Sequence, residues 1–266
     1  MTETRSGIGV DWVSLSTPEF VAWTRARGLA LPFPLGSGAL GFVPGPDRDQ
    51  LTRLLAEREL TDSPVLAATA SAFSAPRLSV YAVRARVPDA DETKFFSVAS
   101  RDDRAVLLLL DAQKVAVREI ADTELAAGVV GALPPLTPLR CEPCEVSVAG
   151  LRDLDAAIES GASARTLRAQ MSHLGLTEDL ILLRERVGNA AATSGALGAM
   201  AYGGPDEPPR HSARSATWRE YDAGTLLQVE RGRRQGQPVV LLTGAGPDAL
   251  FRAAVDAVAS CYETGG

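Results

Sequence analysis

Two cysteines, Cys141 and Cys144, stand three positions apart in this chain. Such a pair does redox chemistry when it begins a helix directly after a strand, because the helix N-terminus stabilises the attacking thiolate. Here the pair follows a proline-rich stretch, residues 133–138, and precedes the extended segment 146–148. This context favours a connector with incidental thiols over a redox site. The sequence leaves open whether the two thiols form a disulfide.

The other candidate ligands and nucleophiles are few and scattered. The chain has two histidines, His173 and His211, and one further cysteine, Cys261. A structural zinc site needs four ligands close together, so we expect no metal and no cofactor. The enzyme alternative is a small hydrolase or thiol enzyme that uses His211 or the pair Cys141 and Cys144. Because the sequence lacks a Gly-x-Ser-x-Gly elbow, a Walker lysine and a His-Glu-x-x-His motif, we predict no catalytic residues and no enzyme.

Two glycine-rich segments fit phosphate-binding patterns only in part. Residues 36–41 have Gly-x-Gly-x-x-Gly spacing, but they lie between two proline-rich segments rather than between a strand and a helix. The turn 244–248 does join a strand to a helix, yet Pro247 removes an amide that a phosphate would need. Both segments are interpreted as loops.

The composition predicts a folded chain with a sizeable core, since 45% of its 266 residues are hydrophobic. A net charge of -6 provides no broad positive field, which argues against nucleic-acid binding. The first nine residues are polar, and the chain has no run of about 18 apolar residues. We therefore expect a cytoplasmic protein without membrane insertion.

One pattern occurs twice in this sequence: four short strands followed by a helix with an apolar stripe. The first copy is predicted at residues 78–87, 95–99, 105–110 and 115–120, with its helix at 123–133. The second copy is predicted at 195–202, 217–221, 226–231 and 239–242, with its helix at 248–261. Two β-meander-plus-helix units predict an α+β fold with two pseudo-symmetric halves and helices packed on a central, mostly antiparallel sheet. We place the halves at residues 1–140 and 141–266, intertwined in one domain.

Helix signals precede each meander. Capping motifs at 16–19 and 63–64 predict two helices, with a short leucine-marked helix at 51–55 between them. Between the two meanders, apolar residues recur at spacings of three and four and predict three more helices, near 151–158, 166–174 and 177–187.

The strand patterns indicate which surfaces are free. Residues 105–110 and 239–242 are unbroken apolar runs, which are expected where both faces of a sheet are covered. Residues 217–221 alternate large and charged side chains, so one face of that strand meets water or a partner. Aromatic residues on such strands favour an interface. We predict partner contacts at Arg84, Val87, Phe95, Phe96, Trp218, Tyr221, Leu227 and Val229.

Several segments follow one another in a characteristic order: Thr-Pro-Glu-Phe at 17–20 with Trp23, a Leu-Pro segment at 31–35, a helix-to-strand junction at 75–80, a buried strand at 103–107, crossover segments at 125–135 and 146–151, and a hairpin at 217–227. This order resembles the EspG-type chaperones of actinobacterial type VII (ESX) secretion. Two departures are Thr225, where the family often has arginine, and the segment 141–144, where it has a glycine-proline sequence.

This resemblance implies a cytosolic chaperone that binds the helical tip of a PE–PPE heterodimer, keeps the pair soluble and delivers it to the secretion system. It implies protein partners, with no nucleic acid and no membrane insertion. A spare apolar sheet face also favours weak homodimerisation when the protein is free. The sequence does not identify the PE–PPE substrate or the ESX system.

Overall fold

The computed structural model describes residues 12–31, 46–86, 92–111, 113–187, 193–204, 207–234 and 236–263. The glycine-rich segment 36–41 and the predicted contact Val87 lie outside these residues.

The described residues form helices and strands in a repeating order. The helices are α1 (Thr17–Ala26), α2 (Arg48–Glu57), α3 (Pro64–Ser74), α4 (Leu125–Ala132), α5 (Val148–Glu159), α6 (Ala164–His173), α7 (Glu178–Val187) and α8 (Pro247–Ser260). The strands are β1 (Val13–Ser16), β2 (Pro76–Arg86), β3 (Glu92–Ser100), β4 (Ala105–Leu110), β5 (Lys114–Ile120), β6 (Cys144–Ser147), β7 (Thr193–Ala201), β8 (Arg210–His211), β9 (Ala216–Tyr221), β10 (Gly224–Arg234) and β11 (Gln237–Gly244).

The predicted α+β class is confirmed. All eight predicted strands of the two meanders are present, and the helices begin where the capping motifs placed them. Ser16 and Glu19 form a capping box at α1, and Ser63 caps α3. Strands β1 and β8 were not predicted, because four residues or fewer carry too little alternation to be recognised. His211, one of the two histidines, belongs to β8.

One sheet contains all eleven described strands, in the order β1-β5-β4-β3-β2-β7-β9-β10-β11-β6, with β8 paired to β7. Every pairing between these strands is antiparallel. The two meanders meet at the centre, where residues 78–86 of β2 pair with residues 193–201 of β7. This single pairing joins the two copies into one sheet.

The repeated unit is longer than the sequence pattern predicted. Each copy starts with a four-residue edge strand that runs directly into a helix, and the last serine of the strand caps that helix: Ser16 for α1 and Ser147 for α5. Three helices then precede the meander in both copies. Each edge strand pairs with the final strand of its own meander. The division of the chain at residue 140 stays a prediction.

The sheet has a back face and a front face that are covered differently. On the back face, α4 and α8 pack against each other and over the central strands, above one core shared by both halves. On the front face, α1–α3 cover the outer strands of the first half and α5–α7 cover those of the second. Side chains alternate along each strand, so the strand registers place the two front groups on the same side of the sheet.

Gly195 of β7 makes room for the largest side chain near the centre of the back face. Trp218 is 1% exposed, and a Cβ added to Gly195 would lie 2.0 Å from its indole ring. Real Cβ atoms do not approach a ring so closely, and the buried indole has no free space in which to move. The glycine is therefore a packing requirement of the central strands.

We predict that Gly195→Ala lowers the free energy of unfolding by about 1–3 kcal/mol, the usual cost of overpacking a filled core. Urea denaturation would measure it. Gly204→Ala is the matched control, because nothing lies within 4 Å of a Cβ at that position. Equal midpoints for the two variants would contradict the packing role of Gly195.

Candidate partner-binding site

The front face of the central strands is open between the two helix groups. Helix α3 packs over β3, β4 and β5, whereas α5 packs over β11 and β6. Four strands lie between them, and three of these, β2, β7 and β9, present a strip that we call the front trough. It is formed by Tyr81, Val83, Ala85, Ser194, Ala196, Gly198, Thr217, Arg219 and Tyr221. Most of these side chains are half-buried or exposed. The strip is thus the part of the sheet that a partner can reach.

Small residues make the floor of the front trough shallow. Ala85, Ser194 and Ala196 are half-buried there. Tyr81 lies across Gly198, since a Cβ on that glycine would be 2.5 Å from the phenol oxygen. Burial raises the pKa of the Tyr81 phenol, so the group stays neutral and can hydrogen-bond at physiological pH. A flat floor of this kind, with the Tyr81 phenol oxygen at one side, can pack against a wide apolar surface of a partner.

A cleft of about 360 Å³ deepens the trough on the side of the second half. Its wall consists of α5 and α7, which contribute Leu151, Leu180 and Leu183, and its floor includes Tyr221 and Gln228. Leu180 and Leu183 also belong to the core beneath those helices. The apolar wall is therefore rigid, because the same residues hold the helices to the sheet.

Charged residues surround this apolar wall. Arg184 of α7 and Asp155 of α5 form an ion pair at 3.3 Å that ties the two helices together. Arg152, Arg219 and Glu230 line the cleft with exposed side chains. An apolar centre with a charged rim is the usual composition of a protein–protein interface.

Arg84, a predicted contact, lies on the other side of the sheet and is held by Glu220. Its Nε and Nη2 donate to the two carboxylate oxygens of Glu220, each at 2.7 Å, across strand β7. The Trp218 indole N–H also donates to Glu220, at 3.3 Å. Burial alone would raise the pKa of Glu220, but the hydrogen bonds and charge of Arg84 outweigh it and hold that pKa below its usual value.

Five predicted contacts are core residues, and their placement at the interface is corrected. Phe95, Trp218, Leu227 and Val229 pack in the shared back core, and Phe96 packs beneath the first front helix group, all at most 5% exposed. Their side chains offer no area to a partner. The physical reason is alternation: neighbours on the same strands, such as Thr217 and Arg219, face outward instead. Of the described predictions, Tyr221 alone has its side chain in the front trough.

The trough residues Val83, Ala196, Thr217 and Arg219 were not among the predicted contacts. One available signal was the alternation of polar residues with Trp218, which marks residues 217 and 219 as lying opposite the buried indole. Ala196 and Gly198 carry no such signal, because small residues are equally common in buried strands.

None of the residues considered for catalysis lines this cleft, and Cys141 and Cys144 are near enough to affect each other's ionisation. Burial, reinforced by Cys144 and Asp179, raises the pKa of Cys141. Burial also raises the pKa of Cys144, although the backbone N–H of Thr177 counteracts it. The thiolate forms of both cysteines are thereby disfavoured.

The two histidines lie on separate elements: His173 ends α6, and His211 is exposed on β8. Across the described ranges, no three His, Cys, Asp or Glu side chains are grouped to hold a metal ion.

Comparison with known proteins identifies the family. The sequence profile of the EspG family matches residues 19–256, so the chain belongs to the EspG family. No curated protein sequence matches it.

Among solved structures, the chain is similar to the Mycobacterium tuberculosis type VII secretion chaperone EspG5, determined in complex with a PE25–PPE41 dimer. The TM-score is 0.74 at 14% identity, over 96% of this chain and 98% of the other. The shared fold is thus retained with little sequence in common. No helix in the described ranges is long and apolar enough to cross a membrane.

We predict that Arg84→Gln lowers the free energy of unfolding by about 2 kcal/mol at pH 7, because Glu220 loses its bidentate partner while remaining largely buried. The pKa of Glu220 is depressed in the folded state, so its contribution is present above the unfolded pKa and is lost as the pH falls through the folded value. The difference in the free energy of unfolding between variant and wild type should therefore shrink below about pH 4.

Denaturation at a series of pH values measures this difference, with the exposed Arg233→Gln as control. A pH-independent difference would contradict the role of the pair.

Proposed function

We propose that this protein is a type VII secretion chaperone that binds the helical tip of a PE–PPE heterodimer in its front trough, keeps the pair soluble in the cytosol and delivers it for export. Two observations support the proposal from outside the site. The chain belongs to the EspG family, and its fold is that of a chaperone whose structure holds a PE–PPE dimer.

The observation that carries the proposal is the open strip of sheet between two walls of helices. Neighbouring strands are about 4.8 Å apart, so the three strands β2, β7 and β9 span about 10–15 Å. A helix with its side chains is about 10–12 Å across. The front trough is therefore wide enough for the end of one helix at the tip of a helical bundle and too narrow for a globular domain.

The composition of the trough fits an apolar helical tip. Val83, Ala85 and Ala196 supply apolar floor, and Leu151 supplies apolar wall. An exposed apolar tip on a helical bundle favours aggregation, and burial of the tip against these residues removes it from water. The exposed Arg219 and Arg152 at the rim give orientation, since rim charges act mainly on the encounter and on specificity.

The proposal needs no covalent step. Release requires only that the interface be of moderate size and partly polar, which the charged rim provides. Arg84 and Val87, which were predicted from the sequence as contacts, have different roles in this proposal. Arg84 positions strands β2 and β9 through Glu220, and Val87, beyond the end of β2, stays a predicted contact.

We predict that Ala196→Glu weakens binding of a PE–PPE pair at least tenfold, because it places an unpaired charge on the trough floor beneath the partner. Co-expression with a PE–PPE pair from the same genome, followed by size-exclusion chromatography and titration calorimetry, measures the change. Ala213→Glu is the matched control, since it adds the same charge at an exposed position outside the trough.

Two results would contradict this function. One is wild-type protein that co-elutes with no PE–PPE pair of its genome. The other is a folded Ala196→Glu variant that binds as tightly as the Ala213→Glu variant, which would move the interface to another surface.

A further inference from the structure

The cleft of about 360 Å³ beside the front trough carries more positive than negative charge. Its charged lining residues are the arginines Arg152, Arg184 and Arg219 and the carboxylates Asp155 and Glu230. The chain as a whole has a net charge of -6, so the local charge of the cleft is opposite in sign to that of the molecule. Two of the three arginines, Arg152 and Arg219, form no hydrogen bond or ion pair with any other residue that the structure describes.

Both carboxylates of the cleft are bound to other groups. Glu230 accepts from the backbone N–H and from the hydroxyl of Ser215, each at 3.0 Å. Asp155 lies three positions after Arg152 on α5, a spacing that permits an ion pair along a helix. Arg184 of α7 binds Asp155 instead, at 3.3 Å. The donors of Arg152 and Arg219 therefore remain available to a group from outside the chain.

The two arginines reach the cleft from different elements. Arg219 rises from the floor, where its neighbours on the adjacent strands are Ser194 of β7 and Leu226 of β10, both uncharged. Arg152 belongs to α5, which forms part of the wall. Both side chains are exposed. A group that enters the cleft can thus be contacted by guanidinium donors from the floor and from the wall.

Neutral donors and apolar side chains complete the lining. The Thr217 hydroxyl, the Gln228 amide and the Tyr221 hydroxyl belong to the same cleft, and positions 217 and 228 lie opposite each other on β9 and β10. Leu151 and Leu180 lie beside them on the wall. A carboxylate accepts about four hydrogen bonds, and those from guanidinium groups are the strongest. The lining therefore suits a carboxylate at the border of an apolar surface.

The position of the arginines favours a carboxylate on a docked protein over a small free anion. Thr217, Arg219 and Tyr221 belong to the front trough as well as to the cleft, so a partner in the trough also covers the cleft. Exclusion of water by that partner strengthens an ion pair with the arginines. A free anion on exposed arginines stays in water, where such pairs are weak.

We propose that Arg152 and Arg219 bind an Asp or Glu side chain at the helical tip of the PE–PPE pair, beside the apolar residues that the trough buries. This inference rests on the proposed function and adds to it the kind of tip that the protein selects. A tip with an acidic residue at this point is accepted. A tip with Lys or Arg there meets two guanidinium groups and is rejected by charge repulsion.

Titration calorimetry with a PE–PPE pair of the same genome tests the inference. The double variant Arg152→Gln/Arg219→Gln should bind about tenfold more weakly than wild type at about 100 mM NaCl, because the carboxylate of the tip loses both charged donors. Added salt should weaken wild type more than the double variant, since salt screens the ion pairs. The matched control is Arg233→Gln/Arg252→Gln, which removes two exposed arginines outside the trough and should bind as wild type does. Equal unfolding midpoints confirm that all variants are folded.

A double-mutant cycle identifies the partner group. Each Asp and Glu at the tip is replaced in turn by Asn or Gln, and its binding to wild type and to the double variant is measured. One replacement should weaken binding to wild type about tenfold and leave binding to the double variant nearly unchanged, because the interaction is already absent there.

The outcomes separate this inference from the proposed function. A double variant that binds as tightly as its control, or a loss of affinity that couples to no carboxylate of the tip, would overturn the inference. The proposed function would still stand if Ala196→Glu weakened binding in the same assay. A wild-type protein that binds no PE–PPE pair of its genome would overturn both.

Discussion

The pairing of β2 with β7 is the interaction on which the rest of the structure depends. The outer edge of each half is formed by that half's own edge strand, β1 or β6. The nine paired positions of β2 and β7 therefore join the two meanders into one sheet. The helices α4 and α8 share a core above this junction on the back, whereas the front helix groups sit on the outer strands of their own halves. The strip left open on the front is thus a direct consequence of the symmetry.

Contacts across the junction reinforce it without closing the front. Gly195 admits the Trp218 indole, the indole donates to Glu220, and Glu220 holds Arg84 of the other half. All of these groups lie on the back side of the strands. The front side carries small residues instead, which keeps it accessible. The two faces of the same strands therefore serve different purposes, one for stability and one for the proposed partner contact.

This division also agrees with the proposed binding of a partner on the front face. The thiols of Cys141 and Cys144 lie at the edge of the sheet, and burial disfavours their ionised forms. The central strip offers apolar floor, leucine walls and a charged rim. Membership of the EspG family and the EspG5-like fold agree with the proposed partner binding.

The sequence by itself determined the helices, the meander strands, their duplication and the α+β class, because capping residues and hydrophobic periodicity are local properties of the chain. It also contained the segment order that marks the family. It did not determine which side of a strand is free: Trp218 and Phe96 read as contacts, although both are core. That choice depends on which helices cover each face. The edge strands and the β2–β7 junction, in turn, join residues roughly 90 to 120 positions apart in the sequence. Only the tertiary structure decided these features, because alternation along a strand separates two faces without saying which of them is buried.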